Sequence, residues 1–142
     1  MKTILFADDS KNIREYWRAA LQDEGYRVVL ASDGMEAVRT LREESPDMAI
    51  LDISMPRASG LDALEQIHRL APQIPVILFT AYTEDCLRDP RTSLAAACVG
   101  KGQDRDELKR VVSRTFTALG FQDRLAAIRS GLPPLPPDKQ ER

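Results

Sequence analysis

A chain of 142 residues with 20 basic and 22 acidic side chains is long enough for one well-buried domain and little more. Its net charge of −2, with Arg interleaved among Asp and Glu, excludes the clustered basic surface that nucleic acid requires. No apolar stretch approaches the ~20 residues of a membrane span. The start, Met1-Lys2-Thr3-Ile4, enters a strand directly rather than opening a signal peptide, so a cytoplasmic location is expected. Cys86 and Cys98 share no CxxC spacing and have no zinc-binding companions, which predicts two reduced, structural thiols.

Residues 3–7 are continuously apolar and read as a buried first strand. Ser10 is placed to cap a helix with Ile13, Tyr16, Trp17, Ala20 and Leu21 along one face, ended by Gly25. Tyr26–Ala31 is the second strand, and Ser32-Asp33-Gly34 turns into a helix with Met35, Val38 and Leu41 inward. Ser45-Pro46 stops that helix, because the residue before proline disfavours helical dihedrals. The third strand, 47–51, delivers Asp52 into the loop 53–60, and the third helix presents Leu61, Leu64, Ile67 and Ala71 inward.

The fourth strand is expected over 75–79 and the fifth over 97–100. Between them Asp89-Pro90 forms an N-cap and first-turn pair, so the fourth helix is predicted to start near Pro90 after a longer loop. The last core helix, about 104–119, carries Leu108, Val111, Val112, Thr115 and Leu119 on one face and ends at Gly120. Phe121, Leu125 and Ile128 suggest a short extra helix, followed by an extended proline-rich tail from Leu132. This divides the chain into a domain over 1–120 and an extension over 121–142. No second domain is read after it, so any output is expected to pass through partners.

Strands alternating with helices imply right-handed crossovers and a parallel sheet covered on both faces. The expected architecture is α/β: a flavodoxin-like, doubly wound, five-stranded parallel sheet of order 2-1-3-4-5 with five helices. In that order the first and third strands lie together at the switch point, where such sheets bind ligands. Asp8, Asp9 and Asp52 then converge, with Thr80 and Lys101 on the next strands out. Carboxylates so close repel one another unless a cation compensates them. Mg²⁺ suits such a set, with Asp9 as a direct ligand, Asp8 acting directly or through water, and the Ser54 backbone carbonyl as a further oxygen. With the metal bound, Asp52 can act as a nucleophile toward phosphorus. Lys101 and the Thr80 hydroxyl are placed to bind the phosphoryl oxygens.

Ala7-Asp8-Asp9-Ser10, Leu51-Asp52-Ile53-Ser54-Met55-Pro56 with Gly60, Phe79-Thr80-Ala81 and Val99-Gly100-Lys101 together resemble the receiver domain of bacterial two-component response regulators, of the stand-alone chemotaxis-regulator type. The resemblance covers about residues 1–120. It implies that Asp52 accepts a phosphoryl group from a sensor histidine kinase, and that Asp8, Asp9 and the Ser54 carbonyl position Mg²⁺. It further implies that Thr80 and Lys101 sense the phosphoryl oxygens. Such a protein catalyses its own phosphorylation and dephosphorylation rather than acting as a conventional enzyme. Its downstream partner is expected to meet the face of the fourth helix, fifth strand and fifth helix, and a monomer or weak dimer is expected.

Two positions depart from the family. Gly102 stands where receivers commonly have a cis-proline, so a trans link is expected. Cys98 stands where the family carries Tyr or Phe, and a small thiol cannot swing between buried and exposed positions as a ring does. The competing reading is a degenerate receiver that binds partners without phosphorylation. A haloacid-dehalogenase-type phosphatase fits less well, because Ser54 holds the place of its second aspartate. Tyr82 is either a gate at the site rim or a plain loop aromatic. His68 reads as a helix-surface residue and Trp17 as core.

Overall fold

The structure, a computed structural model, describes residues 1–102 and 104–131. In chain order they form β1 (Thr3–Ala7), α1 (Lys11–Asp23), β2 (Arg27–Ala31), α2 (Gly34–Glu44), β3 (Met48–Leu51) and α3 (Gly60–Leu70). There follow β4 (Val76–Thr80), the single turn α4 (Asp85–Arg88), a 3₁₀ turn (Pro90–Leu94), β5 (Ala97–Gly100) and α5 (Arg105–Arg129). The strands make one sheet of order β2-β1-β3-β4-β5, and every pairing is parallel. This is the expected doubly wound fold, with four full helices and a broken segment in the fourth position.

Successive strand residues point to opposite faces, and both faces of the central strands are covered. Leu5, Ala7, Ala49, Leu51 and Leu78 pack on the α2–α3 side with Val38, Leu41, Leu64 and Ile67. Ile4, Phe6, Ile50, Ile77 and Phe79 pack on the other side with Trp17, Leu21, Leu108 and Val112. That is why β1, β3 and β4 read as unbroken apolar runs rather than alternating ones. Local signals place the ends. Ser10 Oγ accepts the Ile13 N–H at 3.3 Å, and Ser59 with Asp62 forms a reciprocal capping box on α3. Gly25 takes φ +95° just past α1, a conformation that suits glycine.

Several expectations are corrected. Met35 is 59% exposed, because the buried stripe of α2 runs through Gly34, Ala37, Val38 and Leu41. Tyr16 is half exposed on α1 and is covered by the Arg105 guanidinium 5.6 Å above its ring. The helix expected from Pro90 is only the 3₁₀ turn, capped as anticipated by Asp89 Oδ1 accepting from Arg91 N at 2.9 Å. The unforeseen α4 precedes it and breaks at Asp89, whose extended φ and ψ of −111° and 122° follow from the proline after it.

The α5 helix does not end at Gly120 but continues to Arg129, with Ser130 as its C-cap. A glycine inside a helix costs only about 1 kcal/mol, and the helix-forming residues Gln122–Ala127 offset it. The extra helix expected over 121–129 is therefore one with α5. The proline-rich stretch from Leu132 lies outside the described residues. The cysteines are also not free thiols: Cys86 and Cys98 form a disulfide between α4 and β5. Spacing of 12 residues gave no hint of this, since the pairing depends on how the irregular 81–96 segment folds back.

Candidate functional site

Four of the five strands deliver the expected groups to the C-terminal edge of the sheet. Asp8 and Asp9 follow β1, Asp52 follows β3, Thr80 ends β4, and Lys101 follows β5. Backbone bonds fix the strand ends. Asp8 N–H donates to Ala31 O at 3.1 Å, Asp52 N–H to Ala7 O at 3.0 Å, and Lys101 N–H to Thr80 O at 2.8 Å. The adjacency of β1 and β3 brings the three carboxylates together. Asp8, Asp9 and Asp52 each present a ligand atom within 4.8 Å of the others. Asp8 and Asp52 are 1% and 6% exposed, while Asp9 faces solvent.

Lys101 is the cation that holds this cluster. Its ammonium donates to Asp8 Oδ2 at 2.5 Å and lies 3.1 Å from Asp52 Oδ2. Its side chain passes under the Phe79 ring, with Nζ 5.8 Å from the centroid. Burial works against the lysine charge, yet the Asp8 and Asp52 carboxylates raise its pKa above the ordinary lysine value. For Asp52, burial pushes the pKa up and the Asp8 charge adds to this, while Lys101 and the Ser54 N–H offset only part. One ammonium among three carboxylates leaves an excess of negative charge, and all the donors are hard oxygens. That set fits a small divalent cation such as Mg²⁺.

The remaining expected residues fall as follows. Ser54 is exposed on the loop after β3, with its N–H 3.4 Å from Asp52 Oδ1. Thr80 is buried, and its hydroxyl oxygen accepts the Tyr82 N–H at 3.2 Å. The Tyr82 ring itself is 65% exposed. His68 is exposed on α3, and Trp17 is core. No described peptide bond is cis, including that of Lys101 to Gly102.

Sequence reasoning missed the supports of the loop that carries Ser54. Asp33 caps α2 through the Glu36 N–H at 2.8 Å and receives the Arg57 guanidinium, whose Nε donates to Asp33 Oδ2 at 3.0 Å. Burial tends to raise the Asp33 pKa, but the Glu36 N–H and Arg57 outweigh it and hold the carboxyl below its usual value. Gly34 N–H donates to Ala58 O at 3.1 Å, and Gly60 N–H to Ile53 O at 2.8 Å. A Cβ on Gly60 would come within 2.7 Å of the Asp52 carbonyl carbon, so only glycine lets α3 begin so close to the site. Arg14 also escaped notice; its guanidinium donates to Asp8 O at 2.8 Å.

A parallel doubly wound sheet with an acidic triad at its switch point and a lysine just after its last strand defines a receiver-type architecture. Residues 4–113 match the model of the response regulator receiver domain, and the chain belongs to that family. Response regulator MprA of Mycobacterium leprae is 38% identical over 78 residues, which are 55% of this chain and 34% of that protein. The chain spans about a third of the length of such curated relatives. Response regulator TrrA from Thermotoga maritima, solved in complex with Mg²⁺-BeF, is similar at TM-score 0.76 and 38% identity over 80% of this chain and 98% of that one. TrrA in complex with histidine kinase ThkA gives TM-score 0.74 and 38% identity over 80% and 97% of the two chains. Among the described residues no helix is long and apolar enough to cross a membrane.

Proposed function

We propose that Asp52 accepts a phosphoryl group from a sensor histidine kinase in a Mg²⁺-dependent reaction, and that the phosphorylated state is read by protein contact. The observation that carries this reading is the meeting of Asp8, Asp9 and Asp52 around a lysine bonded to two of them. Mg²⁺ would be held by the three carboxylates and the Ser54 backbone carbonyl. When bound, it neutralises charge on the phosphoryl oxygens.

The chain's own groups do the rest. An Asp52 carboxylate oxygen attacks the phosphorus of the kinase phosphohistidine in line, the P–N bond breaks and the imidazole leaves, forming the acyl phosphate. The Lys101 ammonium, freed from sharing Asp52 Oδ2, pairs with one phosphoryl oxygen. The Thr80 oxygen already accepts a hydrogen bond from Tyr82, which leaves its own proton to donate to another. Water attack on the same phosphorus reverses the modification, so the chain catalyses both of its own reactions. The similarity to a regulator solved with Mg²⁺-BeF and with a histidine kinase supports this reading.

The receiver unit is proposed as residues 1–120, with 121–142 as an extension begun by the overhang of α5. The downstream partner is proposed to meet the α4–β5–α5 face of a cytoplasmic monomer or weak dimer. Incubation with acetyl phosphate and Mg²⁺, followed by intact mass, tests the chemistry. One phosphoryl group is expected on the native chain and none on Asp52→Asn. No gain on the native chain would favour the phosphorylation-independent binding module instead.

A further inference from the structure

Among the described residues, the segment between β4 and β5 packs on the core only through partly buried side chains, Cys86, Leu94 and Ala95. No residue of its 3₁₀ turn is buried, and α4 is a single turn of 4 residues. Such a segment, with few buried apolar contacts, opens at low free-energy cost. Beyond that packing, two side-chain devices tie it to its neighbours. Arg91 reaches Asp62 at 2.8 Å and Glu65 at 3.4 Å on α3 while also binding Asp89 at 2.9 Å. The other device is covalent, the Cys86–Cys98 bond to β5.

Cys86 is the pivot of the segment. Its N–H donates to Thr83 O at 3.0 Å, and its carbonyl accepts the Thr92 hydroxyl at 2.6 Å. One residue therefore ties the start of α4, the 3₁₀ turn and β5 together. Cys98 pairs in register with Leu78, and two residues on, Gly100 pairs with Thr80, so the bond lies in the strand that delivers Lys101. The pair is reachable from outside. Both residues are half-buried, and with Thr83 and Glu84 they line an open surface cavity. No other cysteine exists in the chain to compete for pairing.

We propose that Cys86 and Cys98 form a reversible thiol–disulfide site whose redox state sets the freedom of the 81–96 segment, and through it the response of Thr80 to phosphorylation. The co-reactant is a low-molecular-weight disulfide of the glutathione class. One cysteine thiolate attacks a sulfur of that disulfide, expelling one thiolate and leaving a mixed disulfide. The second cysteine attacks the protein sulfur of that mixed disulfide and expels the second thiolate. The protein loses two thiol protons and two electrons overall, and the small disulfide gains them as two thiols. A dithiol reductant reverses both steps.

The link to the site runs through the backbone. The Thr80 hydroxyl is engaged by the N–H of Tyr82, which belongs to the segment's first residues. Moving Thr80 toward a phosphoryl group on Asp52 draws on the loop that leads to Cys86. In the oxidised chain that loop is pinned at Cys86, and in the reduced chain it is free to follow. This coupling rests on the function proposed above; the thiol chemistry does not.

The test uses the full chain in two forms, equilibrated with oxidised glutathione or with dithiothreitol, and needs no substitution. Alkylation and intact mass count free thiols: both cysteines labelled after reduction, neither after oxidation. Amide exchange over residues 83–95 is expected to be at least about ten-fold faster in the reduced form. Half-saturation by beryllofluoride with Mg²⁺, read by fluorescence of the single Trp17, is expected at about five-fold lower concentration in the reduced form. Cys86→Ser should behave as the reduced chain under both conditions. Unprotected thiols after oxidation, or equal exchange in the two forms, would overturn the thiol site. Equal beryllofluoride responses would overturn the coupling. A redox-dependent exchange difference in a chain that binds no beryllofluoride would sink the phosphoacceptor reading and leave the thiol site standing.

Discussion

Replacing Lys101 with methionine isolates the electrostatics of the site, because the apolar stem is kept and only the ammonium is lost. The lysine side chain is 17% exposed, while its partners Asp8 and Asp52 are 1% and 7% exposed. Removing one partner of a buried ion pair typically costs about 3–5 kcal/mol. An upper bound comes from proton uptake: neutralising an ordinary carboxyl at pH 7 costs about 4 kcal/mol. Burial already favours the protonated form of Asp52, so the bound for this site is lower. About 3 kcal/mol is therefore expected in the absence of divalent cation, a fall in Tm of roughly 10 °C for a chain of this size.

The same change should strengthen Mg²⁺ binding, because the metal no longer competes with a cation a few ångströms away. A cation at one hundred times its Kd returns about 2.7 kcal/mol. The native chain gains from Mg²⁺ as well, so only the ratio of the two affinities counts; for a ten-fold tighter variant the deficit of Lys101→Met shrinks by about 1.4 kcal/mol, roughly half of its EDTA value. Phosphorylation by acetyl phosphate should nevertheless slow by about a hundred-fold, the usual scale for one lost oxyanion partner. Melts by circular dichroism in EDTA and across a Mg²⁺ titration decide it. A Tm deficit independent of Mg²⁺, or no deficit in EDTA, would refute the assignment of Lys101 as the cluster's counter-cation.

Gly60→Ala drives a methyl into the Asp52 carbonyl and the Ile53 backbone; a loss of about 3 kcal/mol is expected, together with weaker Mg²⁺ binding by Trp17 fluorescence. An unchanged melt would show that α3 can back away freely. Asp33→Ala removes the α2 cap and should cost about 1–2 kcal/mol, with Asp33→Asn recovering most of it. Because Asp33 is held below the ordinary carboxyl pKa, its contribution is present above that range and lost as pH falls through the lowered value. The Ala variant's deficit should therefore narrow in acid melts. Reducing the disulfide opens a loop of sequence separation 12 in the unfolded chain, and dithiothreitol is expected to lower stability by about 3 kcal/mol. Cys98→Ser should melt at the same temperature with or without the reductant.

The strand-end chemistry was legible because it obeys one-dimensional rules. Continuous apolar runs mark strands buried on both faces, and a charged residue ending such a run must lie at the sheet's edge. Asp8, Asp9, Asp52, Thr80 and Lys101 are therefore placed by topology alone once the strand order is known. Met35 lies outside the core although Val38 and Leu41 are buried as expected, because Gly34 rather than Met35 completes that stripe and faces the β3–α3 loop. Gly120 misled because a single glycine is too weak a signal to end a helix whose following residues favour it. Arg57 reaches back 24 positions to Asp33, a pairing that depends on loop closure and leaves no periodic trace.

The irregular segment shows most clearly where sequence rules stop. Pro90 correctly forbids a straight helix, but it does not say what replaces one. The replacement depends on two long-range ties, the Arg91 ion pairs to α3 and the bond from Cys86 to β5. In the sequence, Cys98 reads as the loss of an aromatic that swings. In the folded chain it is instead an attachment point, so this position still joins β5 to the segment after β4, by a covalent link rather than by packing. A packed ring transmits a displacement through its rotamer, within the cost of repacking a core. A disulfide permits or forbids the displacement according to oxidation state. In the reading proposed above, transmission through β5 depends on a second chemical input at Cys86 and Cys98, separate from the one at Asp52.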